Sequence, residues 1–360
     1  MSRGKTQATN ARTRARPPRG ALVACVVALL AGTALGGCAA GTASSGGGAA
    51  AGPMATCGPS TMRVAREVTA LRPAPKPKLP VTVRSADGKD VTVRSAERVL
   101  ALNMYGSLAE IVHGLGLGDR MVGRDASTTF TGAAHLPLVT TSGHDLSAEA
   151  ILRLDPTVVL ADAGIGPPEA MDQLRASGVP VVLIGDEQTL PAIGEHVTAV
   201  AAALGVPEAG KALRARIDGD IKAGRGAAAR SAQRPRIAFL YLRGTAGVYL
   251  IGGKGAGSDA LIEAIGAVDA GTAAGLSGFR PLTSEGMINA APDVILVMTK
   301  GLESVGGVRG LVKLPGVAQT PAGRDRRVVD ADDGSLLTFG VRTGKTIEAL
   351  GEAVHRPCAP

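Results

Sequence analysis

Asp155-Pro156-Thr157-Val158-Val159-Leu160 and Pro292-Asp293-Val294-Ile295-Leu296-Val297 are one device written twice, once in each half of the chain. An Asp–Pro or Pro–Asp pair ends what precedes it, because the residue before a proline is pushed out of helical geometry. A continuous apolar, β-branched run then follows, which reads as a strand buried on both faces. Outward from the first copy, apolar strands at 99–102, 121–124, 157–161 and 181–184 alternate with helical patterns at 107–115, 146–154, 171–177 and 194–204. Outward from the second lie strands at 237–242, 293–298 and 327–330 and helices at 258–266, 284–290 and 343–354. Residues 208–230 form a long stretch of mixed charge with few breakers, the composition of a linking helix. The expected fold is α/β: two lobes with mainly parallel sheets, joined by one long helix, with a ligand cleft between them. Ligands of such sheets sit beyond the carboxyl ends of the strands.

The flanks are of different character. Residues 1–37 hold Arg3, Lys5, Arg12, Arg14, Arg16 and Arg19 and no acid, so the net charge of +8 leaves only +2 for the rest. A nearly neutral body gives no electrostatic footprint for nucleic acid. An apolar run from 21 to 35 ends in Leu35-Gly36-Gly37-Cys38. Basic, then apolar, then small residues is the order of a secretory signal, and small residues ending in Cys38 resemble a bacterial lipoprotein cleavage box. Residues 1–37 are therefore expected to leave, with Cys38 lipidated and the chain held on the outer face of the cell membrane. Residues 38–80 are rich first in Gly, Ala and Ser and then in Pro, which reads as a flexible tether. Val81-Thr82-Val83-Arg84 recurs as Val91-Thr92-Val93-Arg94 around Asp87-Gly88, the pattern of a hairpin over 81–96. The organisation is then a first lobe over 81–206, the linking helix over 207–230 and a second lobe over 231–357. Cys57 and Cys358 are the cysteines left over, and outside the cytoplasm such a pair is more often bridged than free.

The chemistry is concentrated in Arg236-Ile237-Ala238-Phe239-Leu240-Tyr241-Leu242-Arg243-Gly244. Tyr241 and Arg243 are two apart, so on an extended strand both side chains point the same way. A phenolate is a hard anionic ligand for ferric iron, and a guanidinium beside it stabilises the anion. A solvated strand-end phenol with a surface arginine is the plainer reading of the same residues. No Gly-x-Ser-x-Gly elbow, phosphate loop or Cys/His nucleophile pair accompanies them, so a binding protein is expected and not an enzyme.

The arrangement resembles the helical-backbone class of ABC-importer substrate-binding proteins, which carry vitamin B12, ferric siderophores and haem. The likeness rests on residues 98–102, 110–123, 146–156 and 292–298. Within that class, Gly143-His144-Asp145-Leu146 and Leu240-Tyr241-Leu242-Arg243-Gly244 are similar to the haem-binding branch. The resemblance implies hemin (haem b) as transported ligand, with His144 and Tyr241 as iron ligands from opposite lobes and Arg243 hydrogen-bonded to the tyrosine. His135 is an alternative ligand close by in sequence. Met104, Tyr105, Tyr249 and Lys300 are expected around the ligand, with core packing the plainer reading of Met104 and a filled strand that of Tyr249. Glu149 and Glu285, each at a helix start, are the matching acids that dock on a permease dimer with its ATPase. A haem donor protein would be a further partner. A siderophore or corrinoid carrier on the same fold is the alternative.

Overall fold

The computed structural model describes residues 58–142, 144–228 and 234–356. Cys38, Cys57 and Cys358 lie outside them, as do residues 1–37, so the lipidation, the disulfide and the signal remain expectations.

The first described strand belongs to the second lobe. Strand β1 (Ser60–Met62) runs parallel to residues 329–331 at that lobe's sheet edge. The next residues strap across the first lobe: Leu71 donates its N–H to the Gly114 carbonyl (2.8 Å) and Lys78 to that of Gly205 (2.9 Å). This corrects the tether over 38–80, which from residue 58 onward is docked structure. Met62 and Val68 are buried, and the interspersed prolines carry no N–H that would need a partner.

Strands β2 (Val81–Arg84) and β3 (Asp90–Val93) make the expected hairpin, turning through Gly88 at φ +79°. Then come β4 (Val99–Leu102), β5 (Thr140–Ser142), β6 (Asp145–Leu146), β7 (Val158–Ala161) and β8 (Val181–Leu183). β4, β7 and β8 pair in parallel in that order, and β5 and β6 form a small antiparallel pair. The strand expected at 121–124 shrinks to two isolated bridges, Met121 with Val99 and Arg124 with Leu138. Helices α1 (Ser107–Val112), α2 (Ala148–Leu152), α3 (Pro168–Ala176) and α4 (Leu190–Ala203) flank the sheet. α1 is buried on every side, including Glu110, and is not the one-sided helix its apolar spacing suggests.

Helix α5 (Pro207–Ala228) joins the lobes. The second lobe holds β9 (Arg236–Arg243), β10 (Val248–Gly252), β11 (Val268–Asp269), β12 (Phe279–Pro281), β13 (Val294–Met298) and β14 (Val328–Ala331). The sheet order is β1-β14-β13-β9-β10-β12, with β11 on β9; β10 runs antiparallel to both its neighbours and the other pairings are parallel. Helices α6 (Ser258–Ala264), α7 (Ala270–Ala273), α8 (Ser284–Ala290), α9 (Thr299–Ser304), α10 (Gly307–Leu311), α11 (Pro321–Arg324), α12 (Asp333–Leu336) and α13 (Thr343–His355) complete it. α13 lies along α5 so closely that a Cβ on Gly344 would stand 2.4 Å from the Asp220 backbone. Glycine there lets the two helices meet.

Strand alternation divides the interior. Val99 and Ala101 face one core and Leu100 and Leu102 another; Ile237 and Phe239 join the first, while Ala238, Leu240 and Leu242 enter a third. The first core thus takes side chains from both sheets and runs through the joint between the lobes.

Candidate functional site

A cavity of about 730 Å³ opens where the lobes face each other, at the carboxyl ends of β4 and β9. Met104, Tyr105 and His144 line it from the first lobe, and Tyr241, Arg243 and Lys300 from the second. Of the sequence-expected residues, Tyr249 and the alternative ligand His135 do not reach it. β9 and β10 are registered Leu250 to Tyr241 and Tyr249 to Leu242, so parity turns Leu250 to the cavity and Tyr249 to the outer core beside Leu242.

Local sequence explains each placement. Tyr241 and Arg243 end β9 on the face opposite Leu240 and Leu242. Phe279, on β12, meets the rings of both Phe239 and Tyr241 edge-on, at centroid distances of 6.0 and 5.9 Å, and so fixes the phenol's plane. Met104 and Tyr105 sit in the turn from β4 to α1. Gly106 makes that turn at φ +76°, and a Cβ on it would lie 2.6 Å from the Ser127 carbonyl. Ser127 Oγ donates to the Met104 carbonyl at 2.6 Å, tying two cavity-lining loops together. Lys300, exposed at the rim, is the second residue of α9, which follows β13 directly.

The electrostatics separate the candidates. His144 Nδ1 is buried without a hydrogen-bond partner. Burial, and then the Arg243 charge, hold the imidazole's pKa below its usual value, so the ring is neutral with a lone pair to offer. His113 packs edge-on against Phe130, His196 is buried in α4, His355 pairs with the Ile265 carbonyl, and His135 is exposed on a loop outside the cavity. Two phenols face the cavity. Burial, then the Asp162 charge, raise the pKa of Tyr105, which keeps it a neutral phenol. Tyr241 carries the Arg243 guanidinium over its ring, 4.5 Å from the centroid. The guanidinium does not cap the hydroxyl, as the resemblance implies. It donates to the Leu242 carbonyl (2.9 Å) and reaches Asp333 at 3.5 Å.

Beneath Tyr105, Asp162 accepts the N–H groups of Gly164 and Ile165, both at 3.0 Å, yet burial raises its pKa to about 6 from the free value of 3.8. The folded state then binds this proton more tightly than the unfolded chain. Its contribution to stability is fullest below the free value and is lost as pH rises to the folded one. Stability relative to an Asp162→Asn variant should fall by up to about 3 kcal/mol between pH ~4 and ~6. Urea unfolding of both proteins across that range measures it; a constant difference would refute the assignment.

Sequence reasoning missed Phe279, Asp333 and Thr129 as cavity residues. Phe279 belongs to a strand of three residues, too short for a periodic signal, although four Phe in 360 residues make each one conspicuous. Asp333 opens α12, a helix of four residues and too short for a periodic signal, and Thr129 lies in a loop; the fold brings the two together.

The profile described as periplasmic binding protein matches residues 104–334, well over half of the chain. The chain belongs to that family. Among curated relatives of this periplasmic binding protein, the uncharacterized ABC transporter substrate-binding lipoprotein YvrC of Bacillus subtilis (strain 168) is 25% identical over 280 residues, 77% of this chain and 86% of YvrC. A vitamin B12-binding protein of Yersinia pestis (strain Pestoides F) is 34% identical over 88 residues, 24% of this chain and 31% of that protein. Among solved structures, the heme binding protein HmuT superposes with a TM-score of 0.80 at 37% identity, over 83% of this chain and 98% of its own. The periplasmic heme-binding protein RhuT of Roseiflexus sp. RS-1 gives 0.69 at 42% identity, over 74% and 100%. HmuT has also been solved with alanine replacing one tyrosine, one histidine and one arginine, the tyrosine and arginine two residues apart. Tyr241 and Arg243 have the same spacing here.

Proposed function

We propose that this chain captures hemin outside the cytoplasm and hands it to an ABC permease. The observation that carries the reading is the convergence, from opposite lobes, of an unpartnered neutral imidazole (His144) and a guanidinium-covered phenol (Tyr241) on one cavity. Two axial protein ligands suit an iron that arrives with four equatorial nitrogens of its own. An imidazole on one face and a phenolate on the other complete six-coordination and leave no open position for oxygen chemistry. Met104, Leu250 and Phe279 offer apolar contact to a macrocycle, and Lys300 at the rim is placed for a propionate. HmuT and RhuT, similar over most of this chain, are named for haem.

Glu149 and Glu285 are assigned to delivery. Each is the second residue of a helix capped by a hydroxyl, Ser147 for α2 and Thr283 for α8, and each follows closely on a cavity residue, His144 or Phe279. Both are exposed. Glu149 makes only a surface pair with Arg153 (2.6 Å), worth little and easily exchanged for a partner's cation. Membrane attachment is assigned to lipid on Cys38, on the strength of the basic, apolar and small-residue order that ends there; among the described residues no helix is long and apolar enough to cross a membrane.

The test is titration of the purified mature protein with hemin, followed in the visible spectrum, with cyanocobalamin in parallel. A saturable 1:1 Soret and charge-transfer spectrum with hemin, and none with the corrinoid, is expected. The Glu149→Ala/Glu285→Ala double variant should bind hemin equally well and fail to support its uptake. Saturable binding of the corrinoid and not hemin would replace this reading.

A further inference from the structure

Arg243 is held where it is by a carboxylate that belongs to the joint between the lobes. Asp333 Oδ2 accepts the Lys300 backbone N–H at 3.1 Å, which fixes the carboxyl group and turns Oδ1 toward Arg243 Nη2, 3.5 Å away. The Leu242 carbonyl takes the guanidinium's other arm. The plane is thereby laid over the Tyr241 ring instead of swinging into the cavity. Asp333 itself is pinned from both sides. Asp332 pairs with Arg66 of the strap. The Gly334 carbonyl accepts Arg342 Nη2 at 2.7 Å, and Arg342 is bound to Glu110 of the first lobe. Thr129 of the first lobe presses on the same turn, leaving no room for a Cβ at Gly334.

We propose that Asp333 is the positioning residue of the iron site: it sets the guanidinium of Arg243 against Tyr241 and so links phenolate ligation to the joint between the lobes. The proposal rests on the hemin reading above. Two physical effects of this carboxylate oppose each other, and their signs separate them. As a bare negative charge beside the cavity, Asp333 disfavours a phenolate, so its removal would strengthen ligation. As the anchor of Arg243 it favours the phenolate, so its removal weakens ligation, and only while Arg243 is present.

Asp333→Asn keeps an oxygen for the Lys300 N–H and removes the charge that holds Arg243. The experiment is a double-mutant cycle on the full mature chain, with hemin affinity and the tyrosinate-to-iron charge-transfer band read for wild type, Asp333→Asn, Arg243→Ala and the pair. With Arg243 present, Asp333→Asn should weaken hemin binding about threefold to tenfold and reduce the band. In the Arg243→Ala background it should change affinity by less than about twofold. Equal losses in both backgrounds, or unchanged or tighter binding while Arg243 is present, would each overturn the positioning role while leaving hemin binding intact. Absence of any hemin complex with the wild type would instead remove the parent reading and this proposal with it.

Discussion

Tyr241→Phe should abolish the tyrosinate-to-iron charge-transfer band outright and weaken hemin binding by more than about 100-fold. That exceeds the roughly 10- to 100-fold typical of losing a group that only orients a metal ligand, which is the range expected for Arg243→Ala. The variant keeps the ring that Phe279 packs against and deletes only the oxygen, so lost packing cannot account for the loss. His144→Ala should retain the band, because the phenolate remains, and bind more weakly with a changed spin state. Reduction to ferrous iron should weaken the wild-type complex, since a hard anionic oxygen favours the ferric ion. Visible spectra at matched hemin occupancy, with affinities from competition against a second hemin-binding protein, read all three. An unaltered spectrum for Tyr241→Phe would defeat the assignment. Tyr105, the other phenol on the cavity, would then be the ligand to test, despite the burial that keeps it protonated.

The parts of this molecule legible in the sequence are those set by local rules. The runs after Pro156 and Asp293 became β7 and β13 because short β-branched segments bounded by helix-breaking pairs have few alternatives. Tyr241 and Arg243 could be put on one face of β9 from parity alone. The same parity, applied to β10, needs the hairpin register that only the structure supplies: sequence alone leaves Tyr249 either against the ligand or filling the strand, and the register chooses the second. Elsewhere the deciding forces were non-local. The strap before β2 reads as tether because its composition is polar and proline-rich, yet Met62 and Val68 are buried and the N–H groups of Leu71 and Lys78 find carbonyls in distant parts of the chain. Asp333 had no local signal. Its role depends on α12 lying between β9, α9 and the first lobe, which no window of sequence contains. Glu110 was hidden for a related reason: an acid within an apolar helix reads as its solvent side until its partner is known.

That partner yields the largest stability effect expected in this protein. Arg342 sets Nε 2.8 Å and Nη2 2.5 Å from Glu110 Oε1, and two further N–H groups go to the Ala65 carbonyl (3.2 Å) and the Gly334 carbonyl (2.7 Å). The pair is interior, with side chains 8% and 2% exposed. Burial pushes the Glu110 carboxyl up, and the Arg342 charge opposes that rise. Two buried charges stabilise little as a pair, because desolvation offsets most of their attraction, but either one alone is costly. Glu110→Ala should therefore destabilise the protein by about 3–5 kcal/mol, as it strands Arg342 in the core, and Arg342→Ala should act similarly by stranding Glu110. The double variant should cost clearly less than the two single losses together, since the second substitution removes the stranded charge. The carbonyls of Ala65 and Gly334 keep it from matching wild type, because they lose their donors in either case. Urea denaturation of the four proteins gives the coupling directly. Single losses near 1 kcal/mol, or strict additivity, would mean that Glu110 and Arg342 are separately solvated and do not bind the lobes to each other.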